Sequence, residues 1–512
     1  MRLFEVEDEL GRQSGGGGRI ARDGSKGRLG SDLDRAAPKV LFVTSEMTDF
    51  VKAGGLGDVS AFLPRALKQS ADIRVVIPGY PAVLEGQRIT IVGRVTAYAD
   101  LPEAEIGLID MPDGLVVYVV LCAELYDRDG SPYGDRDGCD WPDNDRRFAR
   151  LARAAADIAS GLAGTSWKPD LVHCNDWPSG LTPGYLAWAG NPIPSLLTIH
   201  NLAYQGIFDR DRLGALGIPQ EAFQMDGVEF HGKLSFLKTG IFYASHVTTV
   251  SSTYAREITT PEFGCGLEGL LWTRAQEGRL TGIVNGIDAS WEPRTDPDLV
   301  GHFCADDLSN RQKNADWARE RFKLDVSSGP LFAIISRLVH QKGIDVIVDV
   351  ADRIVEQGGQ IAILGQGESE LEQSVSALAE RHQGSVSAYI GFEEADARRL
   401  YAGSDFLLMP SRFEPCGLSQ MYAQRYGSLP IATRTGGLND TVSDGTTGFL
   451  VPEASASGLA DGIGRALDTY QADAKMAAMR KAAMSEVTDW SASARKYSDL
   501  YWKQTFSVDV ET

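Results

Sequence analysis

The chain has 512 residues and a formal net charge of −20, and both values narrow the possible classes of protein. This length exceeds one ordinary domain, so we expect two domains with separate cores. The acidic excess argues against a general nucleic-acid binder, because such proteins carry an excess of Lys and Arg. No stretch of about 18 or more apolar residues occurs, so no membrane-spanning helix is predicted.

The cysteines argue against a structural metal or disulfide framework. They form no CxxC pair and show no repeated spacing, which is unlike a zinc site or a small disulfide-rich domain. We therefore predict a reduced, cytoplasmic setting. The six residues are Cys122, Cys139, Cys174, Cys265, Cys304 and Cys416.

Residues 1–37 differ in composition from the rest of the chain. They contain the run Gly15–Gly18, mixed charges and few large apolar side chains. They lack the apolar centre of a secretory signal. We predict a disordered tail here.

From Lys39 onwards the first half follows a βαβ pattern. A buried strand is predicted at Lys39–Glu46, followed by the glycine-rich segment Val51–Asp58, a helix over Val59–Gln69 and a strand at Ile73–Pro81. Similar strand patterns recur at Asp170–Asp176, Ser195–Asn201 and His246–Ser252. Ligands of open parallel sheets bind beyond the carboxyl ends of strands. We therefore expect Asp176, His200, Asn201 and Ser251 near a site.

The second half repeats this alternation. A strand at Pro330–Leu338 precedes an amphipathic helix at Gly343–Gln357. Further strands are predicted at Gln360–Gly367, Val386–Phe392, Phe406–Arg412 and Leu429–Gly437, and a closing helix at Asp489–Gln504. The fold class is therefore α/β, with two doubly wound, Rossmann-like domains facing a central cleft.

The segment Ile335–Gly343 has the features of an anion site. Arg337 ends a strand, and Gln341 and Lys342 stand just before a helix. Free N–H groups at a helix start favour phosphate, and an arginine adds a bidentate contact. The alternative is a solvated pair of surface charges.

The segment Pro410–Gly427 supplies a carboxylate just beyond another predicted strand end. Pro415 suits the first turn of a helix, so we expect Glu414 at the helix entrance, oriented by backbone N–H groups. The alternative is a simple helix cap. Arg434–Leu438 (RTGGL) repeats the arrangement of a strand end followed by two glycines and backbone donors.

The glycine-rich segment Lys52–Asp58 adds a cation and exposed backbone from the first half. A dinucleotide-binding fingerprint is the competing interpretation, but Gly55 and Gly57 lie too far beyond the strand for its tight first turn. No Walker A pattern occurs.

These motifs together resemble those of bacterial glycogen synthases and plant starch synthases. These are GT-B glycosyltransferases, and they use mainly ADP-glucose. The resemblance covers roughly Lys39 to Tyr501. It rests on SEMTDFVKAGGLGDV, SPYGDRDGCDWPDNDRRF, HCNDW, TIHNLAYQGIF, SFLKTGI, EFGCGLEGLL, GIVNGID, SRLVHQKGID, SRFEPCGLSQMYAQRYG, RTGGLNDTV and DWSASARKYSDLY.

The resemblance implies a domain plan. Residues 38–295 would form an N-terminal Rossmann-like domain on the acceptor side, and residues 296–485 a C-terminal one on the donor-nucleotide side. Residues 486–512 would form a helix that crosses back to the N-terminal domain.

The resemblance also implies roles for individual residues. Glu414, His200, Arg337 and Lys342 would be catalytic, with Glu414 holding the donor glucose and Arg337 and Lys342 the diphosphate. The donor-binding residues would be Lys52, Gly54, Gly55, Asn201, Asn285, Arg337, Lys342, Gly365, Tyr389, Cys416, Gly417 and Leu418. Asp58, Tyr133 and Asp176 would contact the acceptor or sugar.

The implied reaction transfers glucose from ADP-glucose to the non-reducing end of an α-1,4-glucan, with retention of the α configuration. The acceptor would be glycogen or a maltooligosaccharide, and neither a metal nor another cofactor is expected. We expect no nucleic-acid or membrane partner. The oligomeric state and a strict ADP-glucose against UDP-glucose preference are left open.

Several positions depart from the family pattern without removing a charged donor-site group. Ala53 replaces a threonine, Asn175 a histidine of the usual HAHDW, and Pro178 another common histidine. Two rival functions remain: another GT-B transferase of sucrose, trehalose or maltosyl-phosphate type, and a catalytically silent glucan-binding protein.

Overall fold

The computed structural model describes residues 37–486 and 489–506. The predicted disordered tail, residues 1–37, lies outside this part except for Ala37, and so do residues 507–512. Among the helices of the described part, none combines the length and apolar character that a membrane crossing needs.

The first half is built around short buried strands rich in Val, Ile and Leu, the composition expected for strands covered on both faces. Its strands are β1 Lys39–Val43, β2 Asp72–Pro78, β3 Thr90–Val95, β4 Ala104–Asp110, β5 Val116–Leu121, β6 Leu171–Asn175, β7 Ser195–Ile199, β8 Ile207–Phe208, β9 Glu229–Phe230, β10 Lys233–Ser235, β11 His246–Thr249 and β12 Leu280–Gly282. Its helices are α1 Gly55–Leu67, α2 Pro81–Leu84, α3 Ala123–Tyr126, α4 Asn144–Ser160, α5 Asp176–Ser179, α6 Leu181–Trp188, α7 Phe236–Tyr243, α8 Ser252–Glu257 and α9 Glu268–Gln276, with 3-10 turns at Arg210–Arg212 and Gln220–Ala222.

Nine of these strands form one sheet in the order β12-β11-β7-β6-β1-β2-β5-β4-β3. Its central strands are parallel, and only the β3, β4 and β5 edge is antiparallel. The first strand in sequence, β1, lies in the middle of the sheet, with β2 on one side and β6 on the other. The topological switch point therefore lies between β1 and β6, where ligands of such sheets bind.

The second half repeats this construction around another buried core. Its strands are β13 Leu331–Ile335, β14 Gln360–Gly365, β15 Val386–Ile390, β16 Phe406–Met409, β17 Leu429–Thr433 and β18 Phe449–Val451. Its helices are α10 Arg311–Arg321, α11 Ile344–Glu356, α12 Ser369–Arg381, α13 Glu394–Gly403, α14 Ser419–Arg425, α15 Gly436–Thr441, α16 Ala456–Tyr470, α17 Asp473–Ser485 and α18 Trp490–Phe506, with a 3-10 turn at His340–Lys342.

The second sheet is parallel throughout, in the order β15-β14-β13-β16-β17-β18. Its switch point lies between β13 and β16. Trp291 stacks on Tyr422 with ring centroids 3.6 Å apart and is buried in this second core. The Trp291 ring packs in the core of the second half. The second core therefore includes a residue that precedes residue 296, the start of the predicted second domain.

The closing helix α18 packs against the first half of the chain. It contacts α1 and β6, and Tyr497 and Tyr501 are fully buried in the first core. The Tyr501 hydroxyl lies 2.7 Å from Nδ1 of His173 on β6. A helix that follows the second sheet in sequence is thus joined to the first sheet by a buried polar contact.

One predicted boundary is wrong. The helix expected at Val59–Gln69 begins at Gly55, so the glycine-rich segment is largely its first turn. Close packing explains why glycine is needed there. A Cβ on Gly57 would lie 3.1 Å from Oγ1 of Thr48 and 3.3 Å from Cγ of Lys52.

Acid is expected to weaken the fold through His246. Burial, helped by Lys503 and Arg279, lowers the pKa of His246 from 6.5 to about 4. As the pH falls, His246 is therefore protonated near pH 6.5 in the unfolded chain but only near pH 4 in the folded chain. The contribution to stability is therefore complete above pH 6.5 and is lost as the pH falls to 4. It amounts to at most about 3 kcal/mol.

Chemical denaturation of His246→Gln between pH 8 and 4 tests this. The variant should lose less stability than the parent over this interval, and the same change at exposed His231 serves as the matched control. Parallel curves for His246→Gln and the parent would contradict the assignment.

Candidate active site

The predicted site residues lie at the two topological switch points. In the first sheet, the chain leaves β1 into the segment that carries Glu46 and Lys52, and leaves β6 into Asp176. In the second sheet, it leaves β13 towards Lys342 and β16 towards Glu414. Each sheet therefore brings together residues distant in sequence.

The two switch points belong to one cleft, because the segments around them touch. The Ser251 hydroxyl donates to the carbonyl of Pro415 at 2.7 Å. A Cβ on Gly55 would lie 4.0 Å from Cδ1 of Leu418. The glycine-rich segment of the first half therefore faces the EPCGL segment of the second.

Glu414 is buried beside a cation. It is 6% exposed, and its Oε2 accepts from the Ser411 hydroxyl at 3.2 Å and forms an ion pair with Nζ of Lys342. The expectation that Glu414 stands at a helix entrance is wrong, because α14 begins only at Ser419. Gly417 has a φ of 71°, and the Gln420 amide donates to its carbonyl at 2.9 Å, which keeps this stretch out of the helix.

The segments carrying Lys342 and Glu414 are joined tightly. Arg412 pairs with both carboxylate oxygens of Asp345, at 2.9 and 2.6 Å, and the Gln341 amide donates to the carbonyl of Phe413 at 3.0 Å. Gly343 has a φ of 67°, and a Cβ there would lie 2.1 Å from the carbonyl oxygen of Pro410. Only glycine fits this approach, so the Lys342–Glu414 geometry is built into the backbone.

Three further predicted donor residues stand at neighbouring strand ends. Tyr389 is on β15, Gly365 ends β14, and Arg337 follows β13. The exposed Arg337 guanidinium has no hydrogen-bond or ion-pair partner within residues 37–486 and 489–506. Tyr389 carries Arg321 over its ring, 4.6 Å from the centroid. With strands about 4.8 Å apart, the distance from β15 to β16 is about 14 Å.

An aromatic ring, a free cation and a carboxylate thus follow one another along the sheet edge. This order suits a ligand in which a diphosphate joins a base to a sugar, because the cation lies between the ring and the carboxylate. Phosphate favours arginine and lysine.

Cys416 and Asn285 flank Glu414. Burial raises the pKa of the Cys416 thiol to about 12, so this group stays protonated and is a poor nucleophile at neutral pH. The Asn285 backbone N–H donates to it. The Asn285 side-chain oxygen is buried and has no partner among the described residues, so it can accept a hydrogen bond from a ligand hydroxyl.

In the first half, Lys52 and Asp58 form an ion pair with Nζ and Oδ1 2.8 Å apart. The Thr48 hydroxyl also donates to Asp58, at 2.9 Å. Asp58 is buried, whereas the Lys52 side chain is 44% exposed. The predicted acceptor contact Asp58 therefore orients the predicted donor contact Lys52.

Glu46 was missed by the sequence analysis. Its Oε2 accepts from the backbone N–H groups of Ala53 and Gly54, at 2.7 and 2.9 Å, and its Oε1 accepts from the Tyr133 hydroxyl. Its sequence signal was a carboxylate at the end of the predicted first strand, Lys39–Glu46. Its partner Tyr133 is 87 residues away and is visible only in the fold.

We expect Glu46→Gln to lower kcat/KM by about tenfold, because the charge-assisted bonds that the carboxylate accepts from the Ala53 and Gly54 N–H groups become weaker bonds to a neutral amide oxygen. Hydrogen exchange should become faster at Ala53 and Gly54. The matched change at exposed Glu85, outside the site, should alter neither quantity. Unchanged exchange in Glu46→Gln would show that the carboxylate does not hold the loop.

His200 and Asp176, both partly buried, form a second pair in the first half. The His200 backbone N–H donates to Oδ1 of Asp176 at 2.7 Å. Burial raises the pKa of Asp176 to about 7 and lowers that of His200 to about 3. His200 is therefore neutral at physiological pH. Asn201 closes the adjoining turn, its side-chain oxygen accepting from the Ala203 N–H at 3.0 Å.

The RTGGL segment does not offer the two free backbone donors expected of it. The Gly436 N–H donates to Oε1 of Glu257 at 2.9 Å, and the Gly437 N–H donates to the carbonyl of Glu414 at 2.9 Å. These groups support Glu414 and join the two halves of the chain instead of facing a ligand.

Comparisons with known proteins agree with this geometry. A family model described as "Starch synthase catalytic domain" matches residues 39–273, and one described as "Glycosyl transferases group 1" matches residues 317–484. A glycogen synthase of Pseudomonas fluorescens is 56% identical over 464 residues, covering 90% of this chain and 89% of its own length. Glycogen synthase 1 of Bradyrhizobium diazoefficiens is 55% identical over 458 residues, covering 89% and 99%.

The chain belongs to the glycogen synthase and starch synthase family. The resemblance and the GT-B fold predicted from the motifs are thus confirmed, and the chain is a glycosyltransferase. Among solved structures, the catalytic domain of starch synthase IV from Arabidopsis thaliana, bound to ADP and acarbose, superposes with a TM-score of 0.81. It is 32% identical and covers 92% of this chain and 100% of its own.

A sucrose-phosphate synthase from Thermosynechococcus elongatus also superposes, with a TM-score of 0.57 over 92% of this chain and 100% of its own. At 18% identity it shares the fold alone. The roles of individual residues of this chain in glycosyl transfer stay predictions.

Proposed function

We propose that this protein is a glycogen synthase that transfers glucose from ADP-glucose to the non-reducing end of an α-1,4-glucan, with retention of the α configuration. The observation that carries the proposal is the Glu414–Lys342 pair at the second switch point, with unpaired Arg337 beside it. The relatives named above support the substrate class.

The proposed chemistry begins with the loss of the diphosphate. Breaking the anomeric C–O bond leaves negative charge on the leaving group, which Arg337 and Lys342 would stabilise, with Lys52 from the facing half. Glu414 would accept hydrogen bonds from hydroxyls of the donor glucose. The ion pair with Lys342 fixes the direction of the Glu414 carboxylate, which suits holding a sugar better than attacking it.

Among the residues that the structure describes, no carboxylate near the switch points is placed as a covalent nucleophile. Glu414 is paired with Lys342, Asp58 with Lys52, and Asp176 with a backbone N–H. Retaining glycosidases instead use two closely spaced carboxylates, one free to attack. Substitution on one face of the sugar is therefore the favoured path, with the leaving phosphate removing the proton of the acceptor hydroxyl.

Further parts of the proposal concern the setting of the reaction. We expect the transfer to proceed without a resident metal or other cofactor. A cytoplasmic location is supported by the six unpaired cysteines, which suit a reducing compartment.

The test compares two donors with one acceptor. Purified protein is incubated with maltooligosaccharide and with radiolabelled ADP-glucose or UDP-glucose, and chain elongation is measured. The proposal expects elongation by α-1,4 linkage, faster with ADP-glucose. Transfer from UDP-glucose alone would revise the donor, and no transfer from either would overturn the function.

A further inference from the structure

The amide of Asn175 lies between a strand end and the ring of His200. Asn175 is the last residue of β6 and is 1% exposed. Its Nδ2 donates to the carbonyl of Val43, the last residue of β1, at 3.0 Å. Its Oδ1 lies 3.0 Å from Nε2 of His200.

These two contacts determine which ring nitrogen of His200 carries the proton. A carbonyl only accepts, so the amide nitrogen of Asn175 must face Val43 and its oxygen must face His200. An amide oxygen also only accepts. Nε2 of His200 must therefore be the N–H donor.

Nδ1 of His200 is then an acceptor. The ring is neutral at physiological pH because burial lowers its pKa to about 3, so only one nitrogen is protonated. Two titratable side chains interact with His200. Asp176 accepts from its backbone N–H, and His173, two residues before Asn175 on β6, feels its charge. His173 binds Tyr501 and Thr198. Within the described residues, Nδ1 of His200 has no hydrogen-bond partner.

We propose that Asn175 is a positioning residue that holds His200 as the Nε2–H tautomer, so that Nδ1 accepts a hydrogen bond from a hydroxyl of the transferred glucose. The second part rests on the proposed function, whereas the tautomer does not. The proposal also gives a role to a position where the sequence departs from the family's usual histidine. An imidazole can likewise accept from His200 with one nitrogen and donate to Val43 with the other.

The tautomer is tested in the protein without substrate. Histidine-selective ¹⁵N labelling and NMR distinguish a protonated ring nitrogen from an unprotonated one, and the His200→Gln spectrum assigns the signals. Wild type should show protonated Nε2 and unprotonated Nδ1. Asn175→Leu, which removes the acceptor, should show a mixture of tautomers, and Asn175→His should restore the wild-type pattern.

Kinetics test the link to the sugar. We expect Asn175→Leu to lower kcat/KM for the donor by about tenfold or more, with partial recovery in Asn175→His. Protonated Nδ1 in wild type would overturn the proposal even if Asn175→Leu fails to fold. So would a folded Asn175→Leu with unchanged tautomer and kcat/KM. An inactive wild type with the expected tautomer would instead contradict the proposed function.

Discussion

Replacing Glu414 with alanine is expected to lower glucosyl transfer by about 10²–10³-fold, the usual effect of removing one preorganised polar contact at a reacting centre. The carboxylate is 6% exposed and is supported by Ser411 and Lys342. Its geometry is set by the backbone contacts of its own segment. The Glu414 side chain is therefore not needed to stabilise the following helix, α14, and the alanine variant should fold.

Glu414→Gln separates the charge from the shape of the side chain. It keeps the volume and one acceptor oxygen, so its activity should lie between those of the parent and Glu414→Ala. Asp461→Ala, which removes an exposed carboxylate on α16, is the matched control and should be fully active. Initial rates with saturating acceptor, and thermal unfolding of each variant, provide the comparison. Full activity of folded Glu414→Ala would rule out the proposed role.

Lys342→Met is expected to reduce both activity and stability. Loss of the cation removes charge stabilisation from the leaving diphosphate, which should lower kcat/KM by about 10²–10³-fold. It also leaves the Glu414 carboxylate buried with only Ser411 as a side-chain partner. The free energy of unfolding should then fall by about 1–3 kcal/mol, the cost of an unsatisfied buried group.

The double variant Lys342→Met/Glu414→Gln distinguishes these two effects. With the buried charge neutralised, the free energy of unfolding should recover much of the loss, because no unpaired ion remains. Activity should stay low, because neither the cation nor the carboxylate is present. Urea denaturation and donor kinetics on the four proteins complete the cycle. Recovery of activity together with stability would mean that the pair is structural.

Much of the fold could be predicted because its signals are local. Short apolar runs such as Lys39–Val43 and Leu331–Ile335 are typical of buried parallel strands, and polar residues follow where those strands end. The position of Glu414 just beyond a strand was readable for the same reason. The prediction that Glu414 stands at the start of the next helix was wrong. The Gln420 amide donates to the carbonyls of Cys416 and Gly417, which were expected to belong to the first helical turn.

The sequence by itself determined the two βαβ series and the family, and it predicted most of the candidate site residues, because strand composition and motif spacing are properties of neighbouring residues. Only the tertiary structure decided which groups meet. Glu46 and Tyr133, and Lys342 and Glu414, are brought together by the order of strands in each sheet. Strand order depends on the packing of the whole core. The Lys342–Glu414 ion pair and the ring tautomer of His200 both follow from this packing.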